Sequence, residues 1–132
     1  MKIFILAGLI ITAFISGLYL FRPSNKQLAT VDISRFRQQA ADKNAVIIDV
    51  RTPEEFTAGH LKNAVNADFY DSAQFSRYLD SLDKNNRYLV YCRSGNRSRQ
   101  ARKLMEEKGF TKVSDLDGGI TAWQAANLPL IK

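Results

Sequence analysis

From Ile3 to Phe21 the chain runs 19 residues without a charge, rich in Ile, Leu and Phe, with only the hydroxyls of Thr12, Ser16 and Tyr19 among them. As a helix rising about 1.5 Å per residue this stretch spans roughly 28 Å, close to the hydrocarbon thickness of a bilayer. A core helix of that length normally keeps a polar face, so the pattern predicts a membrane-inserting segment. It is longer than the roughly 7–15 apolar residues of a secretory signal, and no clean small-x-small cleavage site follows. An uncleaved single-pass anchor is therefore expected over a removed signal. The two-residue N-terminal tail favours an extracytoplasmic (periplasmic) domain. Arg22, Lys26, Arg35 and Arg37 pull the other way through the positive-inside tendency, which keeps a cytoplasmic orientation open.

After the segment the pattern changes. Arg22 to Ala29 is polar, contains Pro23 and reads as a linker, so the expected division is 1–22 anchor or signal, 23–30 linker and 31–132 domain. Capping residues at Asp32 and Ser34, with Phe36 and Ala40 one turn apart, predict a helix over 34–42. Ala45 to Val50 is a β-branched run of the kind covered on both faces. Thr52-Pro53-Glu54-Glu55 opens a short helix with a capping box and proline at its first position. Gly59-His60 ends it, and 64–66 is a short, weak strand. A helix is expected over 71–82, with Phe75, Tyr78, Leu79 and Leu82 on one face. A strand over 88–91 runs directly into Cys92. A helix over 98–108 stops at Gly109, a strand covers 112–116, and Gly118-Gly119 precedes a helix carrying Trp123. Strands alternating with helices predict an α/β domain: a parallel sheet of about five strands with helices on both faces. The reactive end of such a sheet is the carboxyl end of its strands, where Asp49 and Cys92 both fall.

Composition narrows the chemistry. Beyond residue 21 the formal charge is +5, a mild excess that does not by itself imply a polyanionic partner. The basic residues concentrate locally: Arg93, Arg97, Arg99, Arg102 and Lys103 fall within eleven acid-free residues with no aromatic interleaving. That is the pattern of a small-anion site, and no nucleic acid is expected. One cysteine excludes an intrachain disulfide, and one cysteine with one histidine makes a structural zinc site implausible, so neither metal nor cofactor is expected.

Tyr91-Cys92-Arg93-Ser94-Gly95-Asn96-Arg97-Ser98 lies between a buried strand and a helix start. A tight loop there aims successive backbone N–H groups inward, and the helix adds the positive end of its dipole. Gly95 permits a positive φ and a close approach of the backbone. A cysteine heading this cradle should ionise readily, and the cradle can receive an oxyanion against the sulfur. The competing reading is a core cysteine that happens to end a strand.

These residues resemble the rhodanese (sulfurtransferase) domain family. The family's C-x-x-G-x-R pattern is similar to Cys92-Arg93-Ser94-Gly95-Asn96-Arg97, and its D-V-R-x-x-x-E-[FY] segment to Asp49-Val50-Arg51 with Glu55-Phe56. Gly59-His60-Leu61-Lys62-Asn63-Ala64-Val65-Asn66 resembles its G-H-I-x-G-A-x-N segment, and Gly118-Gly119 with Trp123 its closing G-G-x-x-x-W. Asn63 stands for the usual glycine and tolerates the left-handed conformation; Leu61 stands for isoleucine. The resemblance implies a persulfide cycle. Cys92 attacks the outer sulfur of thiosulfate or a similar anionic donor, and the sulfur then passes to cyanide or a thiol. It also implies a substrate-binding loop of Arg93, Ser94, Gly95, Asn96, Arg97 and Ser98, in which Arg97 shapes the cradle and Arg93 meets the anion. Asp49, Arg51, Glu55 and His60 form a supporting set, His60 as a hydrogen-bonding turn residue and not a base. Trp123 is expected in the core. The six-residue loop resembles the sulfurtransferase branch; the related phosphatases and arsenate reductases have seven. The alternative function is a non-catalytic docking or sulfur-relay module at the membrane. Lacking a second cysteine, the domain must hand its sulfur to an external acceptor, small molecule or protein.

Overall fold

The computed structural model describes residues 25–132. The expected membrane segment at 3–21 lies outside the described residues. Among the described residues no helix is long and apolar enough to cross a membrane.

Among the described residues five strands and five helices alternate: β1 (Gln27–Val31), α1 (Ile33–Ala40), β2 (Val46–Asp49), α2 (Pro53–Ala58), β3 (Val65–Asn66), α3 (Ser72–Asp80), β4 (Arg87–Tyr91), α4 (Asn96–Glu107), β5 (Lys112–Leu116) and α5 (Gly119–Ala125). The strands form one sheet in the order β1-β5-β4-β2-β3, with every pairing parallel. Along β4 the side chains alternate between two cores. Tyr88 and Val90 join Ile48, Phe75, Leu79, Ala101 and Met105 under α3 and α4. Leu89 and Tyr91 join Phe36, Leu61, Leu116 and Ile120 under α1 and α5, with Trp123 packed against them. Coverage of both faces is why this strand reads as a continuous apolar run. Burying each large side chain in these cores contributes roughly 1.5–3 kcal/mol.

Helix starts follow their caps. Asp32 accepts from the Arg35 N–H, and Thr52 and Glu55 form a reciprocal capping box. Asn63 holds φ +65°, the left-handed conformation that asparagine tolerates.

Residues 27–30, read from sequence as the end of a linker, belong instead to edge strand β1. Gln27 to Val31 pair with Lys112 to Leu116, and the Thr30 hydroxyl donates to the buried Asp115 carboxylate at 3.0 Å. Helix bounds shift as well: α3 spans Ser72–Asp80 where 71–82 is expected. Helix α4 starts at Asn96, two residues before its expected start, because Gly95 caps it without a side-chain hydrogen bond. Helix α1 starts one residue early and ends two residues early, at Ala40.

Candidate active site

Strand β4 delivers Cys92 to the carboxyl end of the sheet, buried at 1% exposure. The chain then turns through Arg93 and Ser94, takes φ +106° at Gly95 and enters α4. This turn folds the loop back over the sulfur. The Gly95 N–H donates to Cys92 Sγ at 3.1 Å, and the buried Ser98 hydroxyl lies 3.5 Å from the same atom. Burial pushes the thiol up. The Ser98 hydroxyl and the backbone N–H groups of Ser98, Gly95 and Ser94 outweigh burial and hold Cys92 below its ordinary value. The loop therefore favours a thiolate and offers donors to any negative charge placed on that sulfur.

The loop is held from two sides. On one, Arg97 makes a bidentate pair with Glu55 of α2, Nη1 to Oε1 at 2.8 Å and Nη2 to Oε2 at 3.0 Å. The Arg97 guanidinium holds the Glu55 carboxyl down at about 2. The exposed Tyr70 ring lies over this guanidinium, 5.1 Å from ring centroid to Cζ. Arg97 thus shapes the loop by tying it to α2, and its charge is already committed. On the other side, the Ile120 N–H donates to Cys92 O at 2.9 Å. The Thr121 N–H and hydroxyl donate to Arg93 O at 3.1 and 2.9 Å. Gly119, at φ +57°, permits this contact, since a Cβ there would stand 2.5 Å from Cys92 O and 2.6 Å from Arg93 O.

Beneath the loop, Asp49 and Arg51 form a buried pair with Nη2 to Oδ2 at 2.7 Å, and the same Nη2 donates to Gly59 O at 2.7 Å. Burial alone would lower Arg51, but the Asp49 carboxylate more than compensates and the guanidinium stays charged. Asn66 Nδ2 donates to the carbonyls of Asp49 and Arg51 at 3.1 and 2.8 Å. The Tyr91 hydroxyl accepts from the Leu61 N–H at 3.0 Å, and burial, then Asp49, pushes this phenol up, so it stays neutral.

Apart from Arg93, the site residues singled out from sequence separate into three groups. Cys92, Ser94, Gly95 and Ser98 converge on the sulfur. Glu55, Arg97, Asp49 and Arg51 brace the loop and the turn beside it. Asn96 and His60 do neither. Asn96 is exposed and its Oδ1 accepts from Gln100 at 3.2 Å. His60 shares a hydrogen bond of 3.0 Å between Nδ1 and the Phe56 carbonyl, stacks on Phe56 at 3.8 Å, and pairs its backbone with Ile131. Arg93 is exposed and borders a cleft with Arg51, Glu55, Ala58, Ile120, Thr121 and Gln124. Arg93, the residue after Cys92 in the chain, thus brings a basic side chain to this cleft. Thr121, Tyr70 and Tyr91 join the site without being among the residues expected from sequence. Tyr91 alone carried a signal, as a polar-tipped aromatic inside a strand buried on both faces.

The family model of the rhodanese-like domain matches residues 32–126. Among curated proteins, the chain is 31% identical over 100 residues to the thiosulfate sulfurtransferase GlpE of Vibrio cholerae, covering 76% of this chain and 92% of that protein. It is 30% identical to a sulfurtransferase of Allochromatium vinosum, again over 76% of this chain and 92% of the relative. It is also 33% identical to the tRNA uridine(34) hydroxylase of Pelagibacter ubique, of which it spans only 32%. Among solved structures, the rhodanese-like domain of the Anabaena protein Alr3790 superposes with a TM-score of 0.65 at 29% identity, covering 77% of each chain.

Proposed function

The chain belongs to the rhodanese-like domain family, and from that membership we propose that it is a sulfurtransferase carrying sulfane sulfur as a persulfide on Cys92. The observation that carries the reading is the hydrogen bonding of Cys92 Sγ, a buried sulfur receiving the Gly95 N–H and facing the Ser98 hydroxyl. The donor is thiosulfate or a similar anion, met by the exposed Arg93 in the cleft it borders. The Cys92 thiolate attacks the outer sulfur, the S–S bond of the donor breaks, and sulfite leaves with the bonding pair. The loop donors that lower the thiol also stabilise the negative charge of the persulfide. Cyanide or a thiolate then attacks the outer sulfur, and Cys92 leaves as the thiolate. No other group of the site needs to gain or lose a proton, which agrees with His60 being engaged with the Phe56 carbonyl.

Residues 3–21, uncharged and rich in Ile, Leu and Phe, hold this domain at a membrane. Support for this part comes from the hydropathy of the segment alone.

The test is intact-mass spectrometry of the detergent-purified chain after thiosulfate treatment, beside Cys92→Ala. A gain of one sulfur atom that is absent in the variant and removed by cyanide is expected. A folded, thiol-reactive protein that gains no sulfur would overturn the thiosulfate reading and direct attention to phosphate esters or a docking role.

A further inference from the structure

The two edges of the sheet are unequal. Strand β3 closes one with two residues, too short a ladder to add a strand. Strand β1 closes the other with five, and among the described residues no strand pairs with its outer side. Folded proteins commonly guard such an edge with a charge, a proline or a bulge. Gln27-Leu28-Ala29-Thr30-Val31 has none of these: its side chains are uncharged, and its register with Lys112 to Leu116 runs unbroken.

The ladder decides which backbone groups lie open. The Gln27 N–H donates to Thr111 O at 2.7 Å, and Val31 O accepts from the Asp117 N–H at 2.8 Å, so both ends of β1 turn their backbone to β5. Alternate residues of a parallel strand bond to the same neighbour, so Ala29 turns that way too. Leu28 and Thr30 therefore turn their N–H and C=O groups outward. They stand symmetrically about Ala29. A second β1 laid antiparallel, Ala29 against Ala29, brings Leu28 of each copy opposite Thr30 of the other. Every outward N–H of these residues then finds an outward carbonyl. One step beyond the strand stand Lys26 and Asp32, both exposed. The same symmetry sets Lys26 of each copy opposite Asp32 of the other, so opposite charges close both ends of the join. A shift of one residue sets outward groups against inward ones. A shift of two separates the charges.

We propose that two copies of this chain join through β1 into one continuous sheet, antiparallel across the join and centred on Ala29. Within each copy all strands run parallel, so the carboxyl ends of the two sheets point in opposite directions. The two Cys92 loops then lie at opposite ends of the joined sheet, and neither obstructs the other. A join this short makes a weak dimer, favoured at high local concentration.

The test is disulfide mapping on the full chain in detergent, in a Cys92→Ala background, with thermal melts confirming the fold. Ala29→Cys places its sulfurs across the two-fold axis, in a non-bonded pair with Cα atoms about 4.5 Å apart. Gln27→Cys places them about 14 Å apart along the strands. Under mild oxidation Ala29→Cys should form covalent dimers roughly tenfold faster or more, since only its pair lies within disulfide reach. Equal rates overturn the join, whatever else brings two chains together. Lys26→Glu, added to Ala29→Cys, sets like charges opposite at both ends and should slow cross-linking by about threefold or more. Asp32→Asn, which can still cap α1, should then restore part of the rate. An unchanged rate with Lys26→Glu overturns the register. Sedimentation of the unsubstituted chain in density-matched detergent should show a monomer–dimer equilibrium. A monomer at every concentration overturns the proposal and leaves the edge to a strand of a different protein.

Discussion

Gly119→Ala puts a methyl group where the first turn of α5 presses on the cysteine loop. The new carbon would stand 2.5 Å from Cys92 O and 2.6 Å from the carbonyl carbon and oxygen of Arg93. Ordinary contact begins near 3.4 Å, so the loop or the helix must retreat by almost 1 Å, and the atoms in the way are backbone. Overpacking of this kind costs about 1–3 kcal/mol, and alanine at a left-handed φ adds about 1–3 kcal/mol. A loss of about 3–5 kcal/mol corresponds to a fall in Tm of at least 10 °C for a domain of about 100 residues. Retreat of the loop also moves the Gly95 and Ser98 donors off the sulfur, so the pH midpoint of Cys92 alkylation should rise. Gly109→Ala is the control. Its φ of +94° is no easier for alanine, but the nearest atom to its added carbon is the flexible Lys84 stem at 3.7 Å. Thermal melts and iodoacetamide kinetics on both variants, with Cys92→Ala as blank, give the comparison. If Gly119→Ala melts no lower than Gly109→Ala and keeps the wild-type alkylation midpoint, α5 does not position the loop.

Three further outcomes follow from the same geometry. Ser98→Ala removes a buried donor to sulfur; its alkylation midpoint should rise and its rate at neutral pH should fall roughly fivefold, as for one lost hydrogen bond of about 1 kcal/mol. Glu55 has a folded-state pKa lowered from 4.5 to about 2, so its stabilisation is present above the unfolded value and is lost as pH falls through that window. Urea midpoints measured down that range should decline more steeply for the wild type than for Glu55→Gln; parallel declines would show that the Arg97 pair contributes nothing. Tyr91→Phe leaves the Leu61 N–H buried without its acceptor and should cost about 1–3 kcal/mol by urea denaturation, with no change in the alkylation midpoint.

The parts of the fold legible in the sequence are those where one local cause decides the outcome. Val46 to Asp49 and Arg87 to Tyr91 are central strands, so their apolar runs speak plainly. The capping box at Thr52 and Glu55 is complete within four residues. Strand β1 is not legible because it is an edge: most of Gln27 to Val31 stays exposed, and its identity comes from a partner 85 residues away. The start of α4 is hidden for a related reason. Sequence offers a side-chain cap as the cue, and Gly95 has none; the chain is turned there by φ +106° and by the sulfur accepting its N–H. At the site, the cysteine and its cradle could be read because they lie within seven consecutive residues. The Arg97–Glu55 pair joins positions 42 apart, and the grip of Thr121 on Arg93 joins positions 28 apart. No local pattern encodes either, although the family resemblance placed Glu55 among the supporting residues.

The hydrogen bonds to Cys92 Sγ come from Gly95 and Ser98, whereas α2 and α5 touch only the backbone or flank of the loop. Acid strength and partner choice are thereby written in different stretches of chain. Provided the loop keeps its shape, substitutions at exposed positions such as Ala58 or Gln124 alter what can dock in the cleft beside the loop. The same thiol can then be offered to different customers while its readiness to ionise stays a fixed property of one short segment.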